Sequence, residues 1–174
     1  MGLKLPTSTL CLVRLAVDRM ATENQNSNHL ILDALPCAKG LRFALVVSNW
    51  NSEITESLYE GVKNILSQKN ATQIDRIDVP GSFELVYASR SAIDREYDAV
   101  IAIGSIIRGE TSHFDYVCQG VTNGIQQLNA LGKIPVIFCV LTDDNLEQSR
   151  ARSGGFLGNK GVEAAAAAIQ MARL

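Results

Sequence analysis

The chain has 174 residues, 16 basic against 18 acidic side chains and a formal net charge of -2, with no long run of either sign, which argues against nucleic acid or an anionic membrane as partner. Its length suits one ordinary domain, and its longest apolar runs fall well short of the roughly 18 consecutive residues that a membrane span requires. The four cysteines, Cys11, Cys37, Cys118 and Cys139, form no C-x-x-C pair and lie at no metal-ligand spacing from His29 or His113, so the composition fits a reduced, cytoplasmic setting without metal and leaves a small molecule as the expected ligand.

Residues 1–38 stand apart as an N-terminal extension. Lys4, Arg14 and Arg19 have little acid beside them and 22–29 is polar and rich in Asn, so the segment is expected to be loosely ordered or to pair, through 30–32, with a neighbouring subunit. Asp18 and the lack of a clear cleavage site argue against a transit peptide, and Met20 offers an alternative start.

From residue 39 to 174, short apolar runs rich in β-branched residues alternate with segments whose apolar positions recur at helical spacing, the pattern of βαβ units. A strand is expected over 43–47. The helix after it lines Ile54, Leu58, Val62, Ile65 and Leu66 along one face, with Asn51 or Ser52 as its N-cap. A second strand covers 73–79 and stops at Pro80-Gly81, where Ser82 caps a helix running through Leu85, Ala88, Ala92 and Ile93. Residues 98–103 form a third strand, almost wholly apolar as the centre of a parallel sheet requires. A helix over 114–131 ends at Gly132, a fourth strand covers 134–141, and helices over 144–152 and 159–172 flank Ser153-Gly154-Gly155. Right-handed crossovers turn this order into a single-domain α/β fold, a four-stranded parallel sheet flanked by helices on both faces, of the flavodoxin-like kind.

Ligands of such sheets bind beyond the carboxyl ends of the strands, and there the chemistry-bearing residues concentrate. The first turn holds Asn49, Trp50 and Asn51. The indole either stacks on a flat heteroaromatic ring or lids the following helix. In the second turn Gly81 and Ser82 open a helix whose unpaired amides suit polyol hydroxyls, and Glu84 either accepts from such hydroxyls or answers the helix dipole. The third turn, residues 104–116, is the most specific. Amides of 109–111 with the Thr111 hydroxyl form a candidate anion nest, and His113 is the side-chain type that moves protons near neutral pH. Asp115 orients the imidazole or caps the helix; the cap is favoured because residues two apart on a helix point to different sides. Neither G-x-G-x-x-G nor the lysine of a P-loop is present, and the spacing of 154–161 also fails the P-loop pattern, which discounts ATP. The last turns add Phe138, Lys160 and Arg152, the last of which either clamps phosphate or answers a helix dipole.

Five blocks in order, Asn49-Trp50-Asn51 with Ile54, the run Val79 to Leu85, Gly104 with Ile106-Ile107-Arg108-Gly109, Thr111 and His113-Phe114, Val140-Leu141-Thr142 with Glu147-Gln148, and Asn159-Lys160-Gly161 with Glu163-Ala164-Ala165, closely resemble the 6,7-dimethyl-8-ribityllumazine synthase family over residues 41–174. The resemblance implies condensation of 5-amino-6-(D-ribitylamino)uracil with 3,4-dihydroxy-2-butanone 4-phosphate, the penultimate step of riboflavin synthesis, with no metal or organic cofactor. It also implies that Trp50, beside Asn51, stacks on the pyrimidine, that Gly81, Ser82 and Glu84 hold the ribityl chain, and that backbone near Ile106 and Ile107 reads the ring edge. Gly109, Glu110, Thr111 and Arg152 match the phosphate site, and His113 matches the proton shuttle. Phe138 and Lys160 match residues lining the site, Phe138 across a subunit boundary. Members form homo-pentamers with active sites between adjacent subunits, and some pack twelve pentamers into an icosahedral shell, which the short link 153–158 resembles. Val86, Cys139 and Ser153 depart from the usual proline, glycine and alanine without removing a functional group. A riboflavin synthase on the same scaffold, a flavin- or lumazine-binding carrier and a chiefly structural shell protein are the rival readings.

Overall fold

The alternation that makes a strand buried on both faces is plainest at the start of the sheet, where Phe43, Leu45 and Val47 point into one apolar cluster and Ala44 and Val46 into another. The structure is a computed structural model and describes residues 35–174. In chain order these form β1 (Arg42–Ser48), α1 (Ser52–Gln68), β2 (Gln73–Val79), α2 (Leu85–Ile93), β3 (Ala99–Ile107), α3 (His113–Leu131), β4 (Val136–Asp143), α4 (Leu146–Arg152), β5 (Ser153–Gly155), β6 (Gly158–Asn159) and α5 (Lys160–Met171).

The main sheet is parallel throughout, in the order β2-β1-β3-β4. The four-stranded, helix-flanked α/β fold expected from the sequence is therefore the fold observed. One cluster packs Leu58, Val62 and Leu66 of α1 and the alanine stripe of α5 against the sheet; the other packs Leu85 and Ala88 of α2 with Val121 and Ile125 of α3. Alanines at 164, 165, 166 and 168 let α5 lie close, and α1 comes so near that a Cβ at Gly161 would collide with the Leu58 carbonyl. The chain runs from β1 outward to β2 and then returns across β1 to β3. The strand order therefore reverses between β1 and β3, where open α/β sheets bind ligands.

Three boundaries differ from the expectation. β3 continues four residues beyond 103, so Ile106 and Ile107 are strand rather than turn. β4 begins and ends two residues later than 134–141. Ser153-Gly154-Gly155 is no simple spacer: it is one arm of a small antiparallel hairpin with β6, and Gly154 (φ 127) and Gly158 (φ 81) take backbone angles that L side chains avoid.

The expected strand at 30–32 and the expected looseness of 1–34 lie outside the described residues. Leu35 and Ala38, at the end of that segment, are buried in the α1–α5 cluster. Among the described residues no helix is long and apolar enough to cross a membrane.

Candidate active site

A cavity of about 670 Å³ opens at the reversal point, walled by the turns after β1 and β2, the end of β3 and the first turns of α3, a volume typical of small-molecule sites. Trp50 stands 71% exposed at its edge. The loop that carries it is fixed by its neighbour: Asn51 sits in the left-handed region (φ 58, ψ 47) and its side-chain Nδ2 donates to the Ser105 carbonyl oxygen at 3.0 Å. Asn51 occupies the N-cap position of α1 without a side-chain cap bond, so the cap expected there is replaced by a tie to β3.

The second turn contributes Gly81, Ser82, Phe83 and Glu84. α2 starts only at Leu85, and Ser82 provides no side-chain cap. Its hydroxyl is instead buried without a hydrogen-bond partner among the described residues. The Glu84 carboxylate folds back over the glycine, so that a Cβ at Gly81 would stand 2.9 Å from Oε2. Glu84 therefore faces the cavity from the turn ahead of the helix. Phe83 lodges its ring against Gly120 of α3, where a Cβ would come within 2.7 Å of Cε2. Val86 fills the next notch at Gly124.

From β3 and the turn after it come Ile106, Ile107, Gly109, Thr111 and His113. No hydrogen bond occupies the amides of Gly109, Glu110 and Thr111 among the described residues, which leaves three donors for an anion. Gly109 is not in the left-handed region, and a Cβ there would meet nothing within 4 Å, so the glycine leaves room rather than bending the chain. Thr111 Oγ1 accepts from the His113 backbone N–H at 3.4 Å. Asp115 does not cap the helix: Oδ1 accepts from Arg108 Nη1 at 3.2 Å, and Arg108 Nε donates to Asp144 Oδ1 at 2.8 Å. Hydrogen bonding to Asp144 first, then Asp115, raises the Arg108 guanidinium further above its ordinary range.

Five of the residues selected from the sequence do not line this cavity: Asn51, Glu110, Phe138, Arg152 and Lys160. Phe138 lies on the edge strand β4 and is 41% exposed. Arg152 Nη1 donates to the Gln148 carbonyl at 3.2 Å and lies 3.9 Å from the buried Asp143, while Lys160 Nζ pairs with Glu163 at 2.8 Å. Among the described residues no lysine or arginine therefore lines the cavity. Conversely, Phe83, Ser105, Phe114, Tyr116 and Val117 line it although sequence reasoning passed over them. The helical spacing of 113, 116 and 117 on the first turns of α3 was the available signal. No group of three or more His, Cys, Asp or Glu side chains that could hold a metal occurs among the described residues.

The family described as 6,7-dimethyl-8-ribityllumazine synthase matches residues 40–174. Proteins named 6,7-dimethyl-8-ribityllumazine synthase are similar over most of the chain. That of Christiangramia forsetii is 53% identical, covering 89% of this chain and 95% of its own. That of Flavobacterium johnsoniae is 55% identical over 88% and 82%, and that of Porphyromonas gingivalis 48% identical over 89% and 98%.

Proposed function

Since this chain belongs to the 6,7-dimethyl-8-ribityllumazine synthase family, we propose that it condenses 5-amino-6-(D-ribitylamino)uracil with 3,4-dihydroxy-2-butanone 4-phosphate, giving 6,7-dimethyl-8-ribityllumazine, phosphate and water in the cytoplasm. The observation that carries this reading is the meeting, in one cavity, of an exposed indole, a carboxylate folded over a glycine, and a turn bearing His113 and unpaired amides. Trp50 stacks on the pyrimidine, Ser82 and Glu84 engage the ribityl hydroxyls, and backbone at Ile106 and Ile107 meets the ring edge. The amides of 109–111 and the Thr111 hydroxyl receive the phosphate.

The amine of the pyrimidine attacks the ketone carbon and the carbinolamine loses water to form an imine. Elimination of phosphate leaves an enol that tautomerises to a ketone, and attack of the ribityl-bearing nitrogen on that ketone closes the ring with loss of a second water. His113 takes and returns the protons, a role worth about 10²–10⁴ in rate. Positioning supplies much of the rest, since the amine is intrinsically nucleophilic. A phosphate on amides alone lacks a counter-charge. Because no lysine or arginine among the described residues of one chain lines the cavity, Arg152 reaches it from an adjacent subunit, with Phe138 and Lys160 completing the wall. The assembly is then a homo-pentamer with sites between subunits, and the short hairpin at 153–159 is compatible with pentamers packing further into a shell.

Purified protein given both substrates should release lumazine, read by fluorescence, and phosphate in equal amounts, and neither when the butanone phosphate is omitted. Riboflavin formed from supplied lumazine alone would favour a riboflavin synthase instead. Tight flavin binding with no turnover would favour a carrier. Sedimentation velocity separates a pentamer from a shell.

A further inference from the structure

Arg108 leaves the end of β3 beside the cavity without lining it. Its backbone N–H donates to the Asp143 carbonyl at 3.0 Å, its Nε and Nη1 reach Asp144 and Asp115, and its guanidinium carbon lies 4.1 Å from the centroid of the Phe114 ring. These partners belong to two places, the end of β4 and the first turn of α3. The segment 109–112 spans the gap between Arg108 and that first turn, so one planar group braces both ends of the turn that carries the free amides and His113.

Exposed ion pairs are individually weak. Here two carboxylates converge on one rigid fork, which loses less freedom per bond than a flexible ammonium, and a cation over an aromatic face adds to them. Resting on the functional reading above, we propose that Arg108 is a positioning residue: by bracing Phe114 and Asp115 against the end of β4, it holds turn 109–113 in the shape that receives phosphate and aims His113. It does not serve as the anion's ligand, because its charge is already met by two carboxylates and its side chain is absent from the cavity wall.

The test uses assembled wild type, Arg108→Lys and Arg108→Gln, each shown by thermal unfolding to be folded. Each is titrated calorimetrically with inorganic phosphate and assayed with both substrates. Both variants should bind phosphate about tenfold more weakly and raise KM for the butanone phosphate by a similar factor, a loss on the scale of one hydrogen bond to a charged group. KM for the pyrimidine should stay within about twofold. Lysine keeps the charge but cannot supply the fork and the stack, so it should not rescue. A direct phosphate ligand would be largely rescued by lysine, which binds phosphate as a point charge. Rescue by lysine, an equal rise in both KM values, or a wild type that binds no phosphate overturns the proposal. A wild type that binds phosphate but makes no lumazine defeats the functional reading alone, and the phosphate titration still decides the role of Arg108.

Discussion

Asn51 and Ser105 are joined by a side-chain to main-chain hydrogen bond of 3.0 Å, which fastens the loop bearing Trp50 to the strand that forms the cavity floor. Asn51 also pays a local cost, since a left-handed backbone disfavours most L residues by about 1–2 kcal/mol. Two substitutions separate these roles. Asn51→Gly removes the bond, worth about 1 kcal/mol, but relieves the backbone cost, whereas Asn51→Ala removes the bond and keeps that cost. The alanine variant should therefore melt below the glycine variant. Both should raise KM for the pyrimidine substrate, because Trp50 loses its anchor, and steady-state kinetics beside thermal unfolding reads the two effects.

Gly104 lies in β3 where Ser82 and Leu85 press against the strand: a Cβ would stand 2.8 Å from Ser82 Oγ, 2.9 Å from Leu85 Cδ1 and 3.3 Å from Val140 Cγ1. Three neighbours on one side leave no direction of relief. Gly104→Ala should cost about 1–3 kcal/mol, the range for overpacking a tight core, and should lower activity by displacing Ser82 from the cavity wall. Denaturant unfolding measures the first. Wild-type stability in this variant would show that Ser82 can move freely.

Gly104 also shows where sequence reading succeeds and where it stops. The helical spacing of Ile54, Leu58, Val62, Ile65 and Leu66 and the apolar run after Asp98 suffice to order the elements, because burial on one face of a helix or both faces of a strand is written locally. The residues gathered in the turns were legible for the same reason: a parallel sheet brings the carboxyl ends of its strands to one rim. Gly104 itself reads as a turn glycine, yet its reason is a side chain from another turn. The partners of Arg108 lie 7 and 36 residues away, a relation that no period encodes. The β5–β6 hairpin escaped notice because arms of three and two residues carry no alternation. Asn159, which fastens it, does so through Ser57 of α1 at 2.8 Å.

Glu56 and Arg76 form a two-pronged pair, Nη1 to Oε2 at 2.8 Å and Nη2 to Oε1 at 2.5 Å. The hydrogen bonds from Arg76 hold the Glu56 carboxyl below its ordinary value of 4.5. A carboxyl lowered in the folded state stabilises the protein above its unfolded value, and the contribution is lost as pH falls through the folded one. Since Glu56 is about half exposed, the pair contributes only about 0.2–1 kcal/mol. Glu56→Gln should accordingly melt slightly below wild type near neutral pH, and the gap should close below pH 4.5. A gap that persists or widens in acid would assign the difference to packing against Tyr59, over which Arg76 also lies.

Cys139 is 4% exposed and packed opposite Ile103 in the α1–α5 cluster. It does not line the cavity. Burial pushes its thiol up to about 12, and only the thiolate attacks thiol reagents. In mildly alkaline buffer Cys37, which is exposed, should label quickly and Cys118 slowly, burial and then Asp115 raising its thiol. Cys139 should label only after denaturant is added, as mass spectrometry of the peptides can follow. Rapid native labelling at Cys139 would mean that this cluster opens.

His113 lines the cavity and Arg152 does not, although the proposed chemistry needs both at one phosphate. If Arg152 comes from an adjacent subunit, His113→Ala and Arg152→Ala each damage every site when expressed alone, by different halves. Coexpressed in equal amounts, they form mixed rings in which about a quarter of the sites join a chain with intact His113 to a neighbour with intact Arg152. Those sites should work, so the mixture should recover roughly a quarter of wild-type kcat, with KM for the butanone phosphate close to that of wild type. If Arg152 instead served its own chain, every site would carry one lesion and mixing would recover nothing. The Arg152 variant must first be shown to assemble, because its guanidinium lies 3.9 Å from the buried Asp143 carboxylate, whose remaining partner is Ser149 Oγ at 2.8 Å. A ring that assembles from the two variants and stays inactive would overturn the supply of Arg152 from an adjacent subunit.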